Sequence, residues 1–456
     1  MDFLKIVEPY QNALLHDLQQ LCRIDTTLIE QPDNLEAPFG QGLRDALDYI
    51  LRLGKAMGFK TKKIDQVAGY IEYGEGLEIV GVLAHLDVVP AGDGWRVPPF
   101  SATIEGDRLY ARGAMDDKGP LMASLYALKL LKDNAIPVSK RIRIIIGTDE
   151  ETSWRGIAKY MEKCEIPSVG FSPDAEFPII YGEKGILSID LFSDYKDETL
   201  VSLISGDRYN VVPETATAVL LGNHEEQFLS FSKANLYHGK AEVKGKETLL
   251  KMFGKSAHAM EPDAGVNALL HMMQFLALKT KNPLVNFVAS SLKDSRFRSM
   301  NLAFSDPEMK DLTVNVALAA INQQGGRVGL NLRYPIHWDK EAFIKRLQEK
   351  AGSVKVKVIK DSVPHYVAKD SIFVKTLHEA YIKYTGDRTS PLMTIGGGTY
   401  ARAFKNCVAF GMLMPGREEV VHQVNEYLII SDLMKATAIY AEAMSALAVM
   451  PLKARM

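Results

Sequence analysis

Two apolar runs in this chain end in polar clusters, and no other feature constrains its fold as strongly. The first, LEIVGVLA at 77–84, leads into His85 and Asp87; the second, RIRIIIGT at 141–148, leads into Asp149, Glu150 and Glu151. Runs rich in Val, Ile and Leu fit strands covered on both faces, as in a parallel sheet. Helical patterns precede each run, GLRDALDYILRLGKAMGF before the first and GPLMASLYALKLLKD before the second, so the order of elements reads as α/β. In open α/β sheets, ligand crevices form at the C-terminal ends of strands, and both polar clusters fall at such ends. Residues two apart on a strand share a side, which sets the imidazole of His85 beside the carboxylate of Asp87. A carboxylate so placed fixes the tautomer of a metal-binding histidine. A hydrogen-bonded core histidine is the plainer reading of the same pair.

Three further segments widen the choice of chemistry. In RGAMDDKGP, Asp116 and Asp117 precede Lys118, Gly119 and a helical pattern, which taken alone reads as a helix N-cap. Asp174 follows the possible strand SVGFS, and His422 stands in MPGREEVVHQVNEYLIISDL before the final helix. Adjacent carboxylates such as Asp149 to Glu151 repel, and burying them demands a cation. Together these segments supply two imidazoles and several carboxylates, a mixture that suits zinc, with manganese as the alternative. The inventory fits two ions better than one. A carboxylate bridging the pair leaves each ion two further ligands and room for a shared water whose pKa falls toward about 7, with a free glutamate beside it as base.

Composition narrows the partners. The 456 residues are 24% charged with a formal net charge of -2 and both signs interspersed, so there is no electrostatic footprint for nucleic acid, and small polar substrates fit better. Cys22, Cys164 and Cys407 are scattered and form no C-x-x-C pair, which suits a reducing cytoplasm. The start, MDFLKIVEPYQNALLHDLQQ, is amphipathic and acidic rather than signal-like, and no stretch is apolar enough to span a membrane.

Near Gly185 the pattern changes to alternating strands, GILSIDLFSD, TATAVLLG and SVKVKVIKD, with NALLHMMQFLALKT and DKEAFIKRLQEKAGS as helices among the later ones. Beyond Val367, long helical patterns return on either side of TIGGGTYAR. The expected organisation is a catalytic domain over 1–182 and 367–456, interrupted by an inserted α+β lid over 183–366. The insert is long enough for two small sheet-and-helix sandwiches, although no linear repeat is visible. Gly396 to Gly398 lack the Lys-Ser/Thr ending of a phosphate loop. Their missing side chains would instead let a substrate backbone lie close at Gly397 and Gly398, with Thr399 offering a hydroxyl.

HLDVVP, GDGW, RGAMDDKGP, TDEE, SPDAEFP, GKSAH and a late histidine resemble the co-catalytic zinc peptidases that include aminoacylases, carnosinases and ArgE/DapE-type deacylases. The enlarged insert, VVP at 211–213, NLRYP at 331–335 and GGGTYAR make the chain most similar to the PepV-like dipeptidases of that family. Ala111 departs from the glycine expected before Arg-Gly. The resemblance implies a zinc-peptidase catalytic domain with a mixed, largely parallel sheet flanked by helices, plus a lid of two ferredoxin-like halves. It implies that His85 and Asp174 hold one ion and Glu151 and His422 the other. Asp116 would bridge them, joined to Asp117 by a cis peptide, and Asp87 would support His85. Glu150 would be the general base, taking a proton from a metal-bridging water and returning it to the leaving amine. By the same resemblance His258 is the lid histidine at the oxyanion, Arg333 binds the substrate's C-terminal carboxylate and Asn210 contacts the scissile group. The implied activity is hydrolysis of unblocked dipeptides by a monomer. Alternatives are an N-acyl-amino-acid deacylase or carboxypeptidase, or a catalytically silent binding protein on the same scaffold.

Overall fold

The computed structural model describes residues 1–451. The chain divides into two units: Met1–Tyr181, Tyr366–Met393 and the chain from Gly398 onward form the first, and Gly182–His365 with Thr394–Gly397 form the second. The main breaks fall one residue before those expected at 182/183 and 366/367. The return of four residues, Thr394–Gly397, to the second unit had no compositional signal.

In the first unit six consecutive strands of the main sheet run in the order Lys60–Ile64, Ala68–Tyr73, Arg141–Gly147, Ile79–His85, Val169–Ser172, Cys407–Ala409. The last four of these six are mutually parallel, whereas Lys60–Ile64 and Ala68–Tyr73 pair antiparallel at one side. All seven residues of Ile79–His85 are buried, as the unbroken apolar run requires of a central strand. Arg143, which interrupts the second run, meets Glu72 on the neighbouring strand with Nε 2.7 Å from Oε2, so its charge is paired inside the sheet. Helices Gly119–Asp133 and Ile430–Val449 pack on each other and on Ile79–His85; both are buried over most of their circumference, and both read in sequence as apolar nearly all round. His85 lies opposite Gly147 in the parallel register, so the two polar clusters leave the sheet side by side. Among the described residues no helix is long and apolar enough to cross a membrane.

The second unit carries an eight-stranded antiparallel sheet in the order His238–Lys244, Glu247–Phe253, Thr215–Leu221, Leu200–Ser205, Thr313–Asn322, Gly325–Tyr334, Gly185–Ser193, Lys355–Ser362. Four of these strands, with helices Pro283–Ser291 and Lys340–Ala351, follow the β-α-β-β-α-β order of a ferredoxin-like half. The other four have the same spatial order, with helices Glu225–Ala234 and Ala268–Leu276. Here, however, the strand in the fourth place, Leu200–Ser205, comes first in the chain. The halves meet where Leu200–Ser205 pairs with Thr313–Asn322. This permutation, with one half inserted into the other, explains why two similar halves leave no linear repeat.

Candidate metal centre

His85 ends its strand fully buried, with Nε2 2.9 Å from Asp116 Oδ1 and 3.6 Å from Asp174 Oδ2. Asp116 turns its other oxygen, Oδ2, to His422 Nε2 at 2.9 Å, and His422 Nε2 is also 2.8 Å from Glu151 Oε1. One carboxylate therefore faces two imidazoles with two different oxygens. Ligand atoms of His85, Glu150 and Asp174 lie within 4.8 Å of one another, as do those of His85, Asp116 and Glu151. All five expected ligands and the expected base thus converge at the C-terminal edge of the first unit's sheet.

The support differs from expectation at Asp87. The strand stops at His85, so Asp87 is not its same-face neighbour: the ring Nδ1 of His85 meets the backbone carbonyl of Asp87 at 2.9 Å, with the carboxylate 3.5 Å away. A donor Nδ1 still leaves the Nε2 lone pair toward Asp116 and Asp174. The Asp87 carboxylate accepts the backbone N–H groups of Glu150 and Glu151, both at 2.9 Å, and so orients both glutamates. Asp116 and Asp117 likewise divide their work. Their peptide is cis, and Asp117 Oδ2 accepts the backbone N–H of His85 at 3.0 Å. Asp149 Oδ1 and Oδ2 accept from the N–H groups of Gly156 and Arg155, fixing the start of helix Arg155–Lys163.

The donor set fits divalent ions. His85 Nε2 and Asp116 Oδ1 are buried and neither makes a hydrogen bond, although only 2.9 Å separates them, which is the condition of ligand atoms rather than of a satisfied polar core. Burial raises Glu151 to about 7 and lifts Glu150 well above the usual carboxylate range. Burial alone would lower His85, but Asp116, Asp174 and Asp87 hold it well above its ordinary value. Hydrogen bonds to Asp116 and Glu151 carry His422 up to about 11. Both histidine shifts have the same origin, several carboxylates gathered around two imidazoles where cations are needed.

Tyr400, absent from the sequence-derived site, walls the centre. Its buried ring stands edge-on to His85 at 6.1 Å and to Trp154 at 5.2 Å. Gly147 makes room for it: a Cβ there would lie 2.1 Å from the Tyr400 hydroxyl oxygen. Gly147→Ala should destabilise the chain by about 1–3 kcal/mol in urea unfolding, with Tyr400→Phe recovering part of the loss. An unchanged midpoint for Gly147→Ala would show that the ring is free to move aside.

Asn210, His258, Arg333 and Gly397 belong to the second unit, Gly398 and Thr399 to the first. Asn210 and His258 are brought together, since Val211 bridges His258 and the N–H of Ala259 donates to the Asn210 carbonyl at 2.9 Å. Asn315, which sequence reasoning missed, holds this pair through Nδ2, 2.8 Å from the Val211 carbonyl. The buried Arg333 donates from Nε to Asn331 Oδ1 at 2.9 Å and from Nη1 to the Gly396 carbonyl at 2.7 Å, which fixes the plane of its guanidinium. The glycine run has packing reasons beyond those expected. Cβ atoms at Gly396 and Gly398 would press on Met260 and Arg402, whereas Gly397 would make only ordinary contact. Thr399 Oγ1 accepts from the N–H of Ala401, starting the turn Tyr400–Ala403.

The model for peptidase family M20/M25/M40 matches residues 81–446. A relative from Bacillus subtilis (strain 168), named "Putative dipeptidase YtjP", is 43% identical over 451 residues, 95% of this chain and 97% of its own length. Among solved structures, the M20 family metallo-carboxypeptidase Sso-CP2 from Sulfolobus solfataricus is similar with a TM-score of 0.58 at 19% identity, covering 96% of this chain and 99% of its own. Human carnosine dipeptidase 1 gives 0.58 at 16% identity over 98% of each chain. At those identities the two structures share the fold.

Proposed function

The chain belongs to peptidase family M20/M25/M40, hydrolases of peptide bonds, and from that premise we propose that it is a metal-dependent dipeptidase acting on unblocked dipeptides. The observation that carries the two-ion reading is Asp116, whose two oxygens each stand 2.9 Å from a different histidine Nε2. His85 and Asp174 would hold one ion, Glu151 and His422 the other, with Asp116 between. Zinc or manganese bound there would polarise the scissile carbonyl and lower the pKa of the attacking water.

The chain's own residues supply the rest. Glu150, its amide fixed by Asp87, takes the proton of the attacking water and delivers it to the leaving amine. Burial favours this role, because a carboxylate lifted above its ordinary pKa is the stronger base. His258 serves as donor to the oxygen that gains negative charge. Arg333, held in one plane by Asn331 and Gly396, takes the substrate's terminal carboxylate through charge-assisted bonds. Cys22, Cys164 and Cys407 are all free thiols, which suits work in a reducing cytoplasm.

Turnover on three matched compounds tests the reading: a free dipeptide, its N-acetylated form and the same peptide lengthened by one residue. The free dipeptide should be the preferred substrate. Preference for the acetylated compound would make the enzyme a deacylase, and equal cleavage of the longer peptide would make it a carboxypeptidase or aminopeptidase, with the metal centre unchanged in either case.

A further inference from the structure

We infer that Glu426, paired with Arg112, is a positioning residue that couples the two ion sites by clamping the loop of Asp116 to the loop of His422; this rests on the two-ion reading above. Glu426 is 0% exposed, and its carboxylate receives four donors. Oε1 accepts the N–H groups of Met115 at 2.9 Å and Asp116 at 3.2 Å; Oε2 accepts Gly113 N–H at 3.1 Å and Arg112 Nη1 at 2.7 Å. The backbone carbonyl of Glu426 also accepts the N–H of Ala111 at 3.1 Å. From the other side of the pair, Arg112 Nη2 reaches the carbonyls of Ala91 at 3.3 Å and His422 at 3.4 Å. A single buried ion pair therefore grips the amide of the bridging residue, the carbonyl of a ligand histidine and the loop that follows His85.

Stability alone is a weak reason for such a pair. A buried ion pair gains little over apolar residues of the same volume, because both charges must leave water. Its value here is geometric. Three backbone N–H groups converge on one point between residues 113 and 116, and only an acceptor with two equivalent oxygens satisfies all of them together with Arg112. His422 itself has left-handed backbone, φ 62°, a conformation that a non-glycine residue keeps only when its surroundings over-determine it, and the Arg112 contact to its carbonyl does so. The pair of Arg143 with Glu72 offers an internal contrast: it is also buried, but its hydrogen bonds run to Tyr160 and Glu165, none of them a ligand.

Metal-depleted protein titrated with manganese tests the clamp, with bound ions counted against a chromogenic chelator and their coupling read by electron paramagnetic resonance. Wild type should take up two ions with a spin-coupled spectrum. In Glu426→Gln, where one oxygen is replaced by an amide nitrogen facing donors, the second ion should bind about 10- to 100-fold more weakly, leaving the six-line signal of an isolated ion. Glu72→Gln should lower the melting temperature yet keep two coupled ions, a difference that a merely structural role for Glu426 would erase. Arg112→Lys keeps a cation for Glu426 but loses the fork that reaches His422, and it should weaken the second ion as well, so the test stands even if Glu426→Gln fails to fold. Two coupled ions of wild-type affinity in Glu426→Gln, or in Arg112→Lys where the first does not fold, would overturn the clamp alone. A wild-type chain that binds a single ion would overturn the two-ion reading and the clamp with it.

Discussion

Replacing Glu150 with glutamine should leave two ions bound per chain while turnover of a free dipeptide falls by about 10²- to 10⁴-fold, the range over which a positioned proton-transfer group acts. The prediction is sharp because geometry admits two roles for this side chain. Its carboxylate lies within 4.8 Å of the ligand atoms of His85 and Asp174, so as a ligand it would be equally in reach. Two features favour the base. His85 Nε2 already has Asp116 at 2.9 Å and Asp174 at 3.6 Å, and the neighbouring Glu151 is the residue in contact with His422. Metal counting and turnover on the same sample separate the roles: loss of an ion along with activity would make Glu150 a ligand, and full activity would remove it from the chemistry.

Stripping the ions should destabilise the fold as well as silence it, and the size of the loss should depend on pH. Ligands that bind only the folded state stabilise it by about 4 kcal/mol when present at a thousandfold excess over their dissociation constant, and chelation removes that term. What remains is a cluster of buried carboxylates paired with two imidazoles. Glu151 rises from 4.5 to about 7 through burial. A group whose folded-state pKa is raised binds its proton more tightly in the folded chain, so its contribution is complete below 4.5 and is lost as pH climbs through 7. The loss from Glu151 is about 3 kcal/mol. His85, also raised, works in the same direction above its ordinary 6.5. Asp116 works in the opposite sense and only in acid: although burial alone would raise it, His422 and His85 depress it, and its contribution disappears as pH falls below 3.8. The chelated chain should therefore melt highest near pH 5 and progressively lower toward pH 8, while the loaded chain holds its melting temperature across that range. Coincident profiles for the loaded and chelated forms would show that the site holds no ions.

The residues that gather at the candidate centre were legible before any fold was known, through donor chemistry and strand ends, which are local properties, together with the motif resemblance. His85, Asp116, Glu150, Glu151, Asp174 and His422 stand out as polar residues at the margins of apolar segments, and the same apolar segments supply the strands that carry His85 and the Glu150–Glu151 pair. Asp87 was legible as a residue but not as a set of atoms. Period-two reasoning aims its carboxylate at His85, yet the strand ends at His85 itself, two residues before Asp87, and the carboxylate turns to the amides of Glu150 and Glu151 instead. The doubled lid left no readable repeat, since the order of its strands is permuted while their positions in the sheet are kept.

What the sequence by itself determined, then, is the type of the principal elements, the apolar segments that form the core and the stock of groups able to hold a metal, all set by side-chain chemistry over a few residues. The tertiary structure decided how the supporting groups pair: Glu426 with Arg112, 314 positions apart, Tyr400 over Gly147, and Arg333 against the Gly396 carbonyl. The physical reason is that a buried charge or hydroxyl takes whatever partner the packed backbone brings within about 3 Å. Which backbone arrives there depends on segments hundreds of residues away.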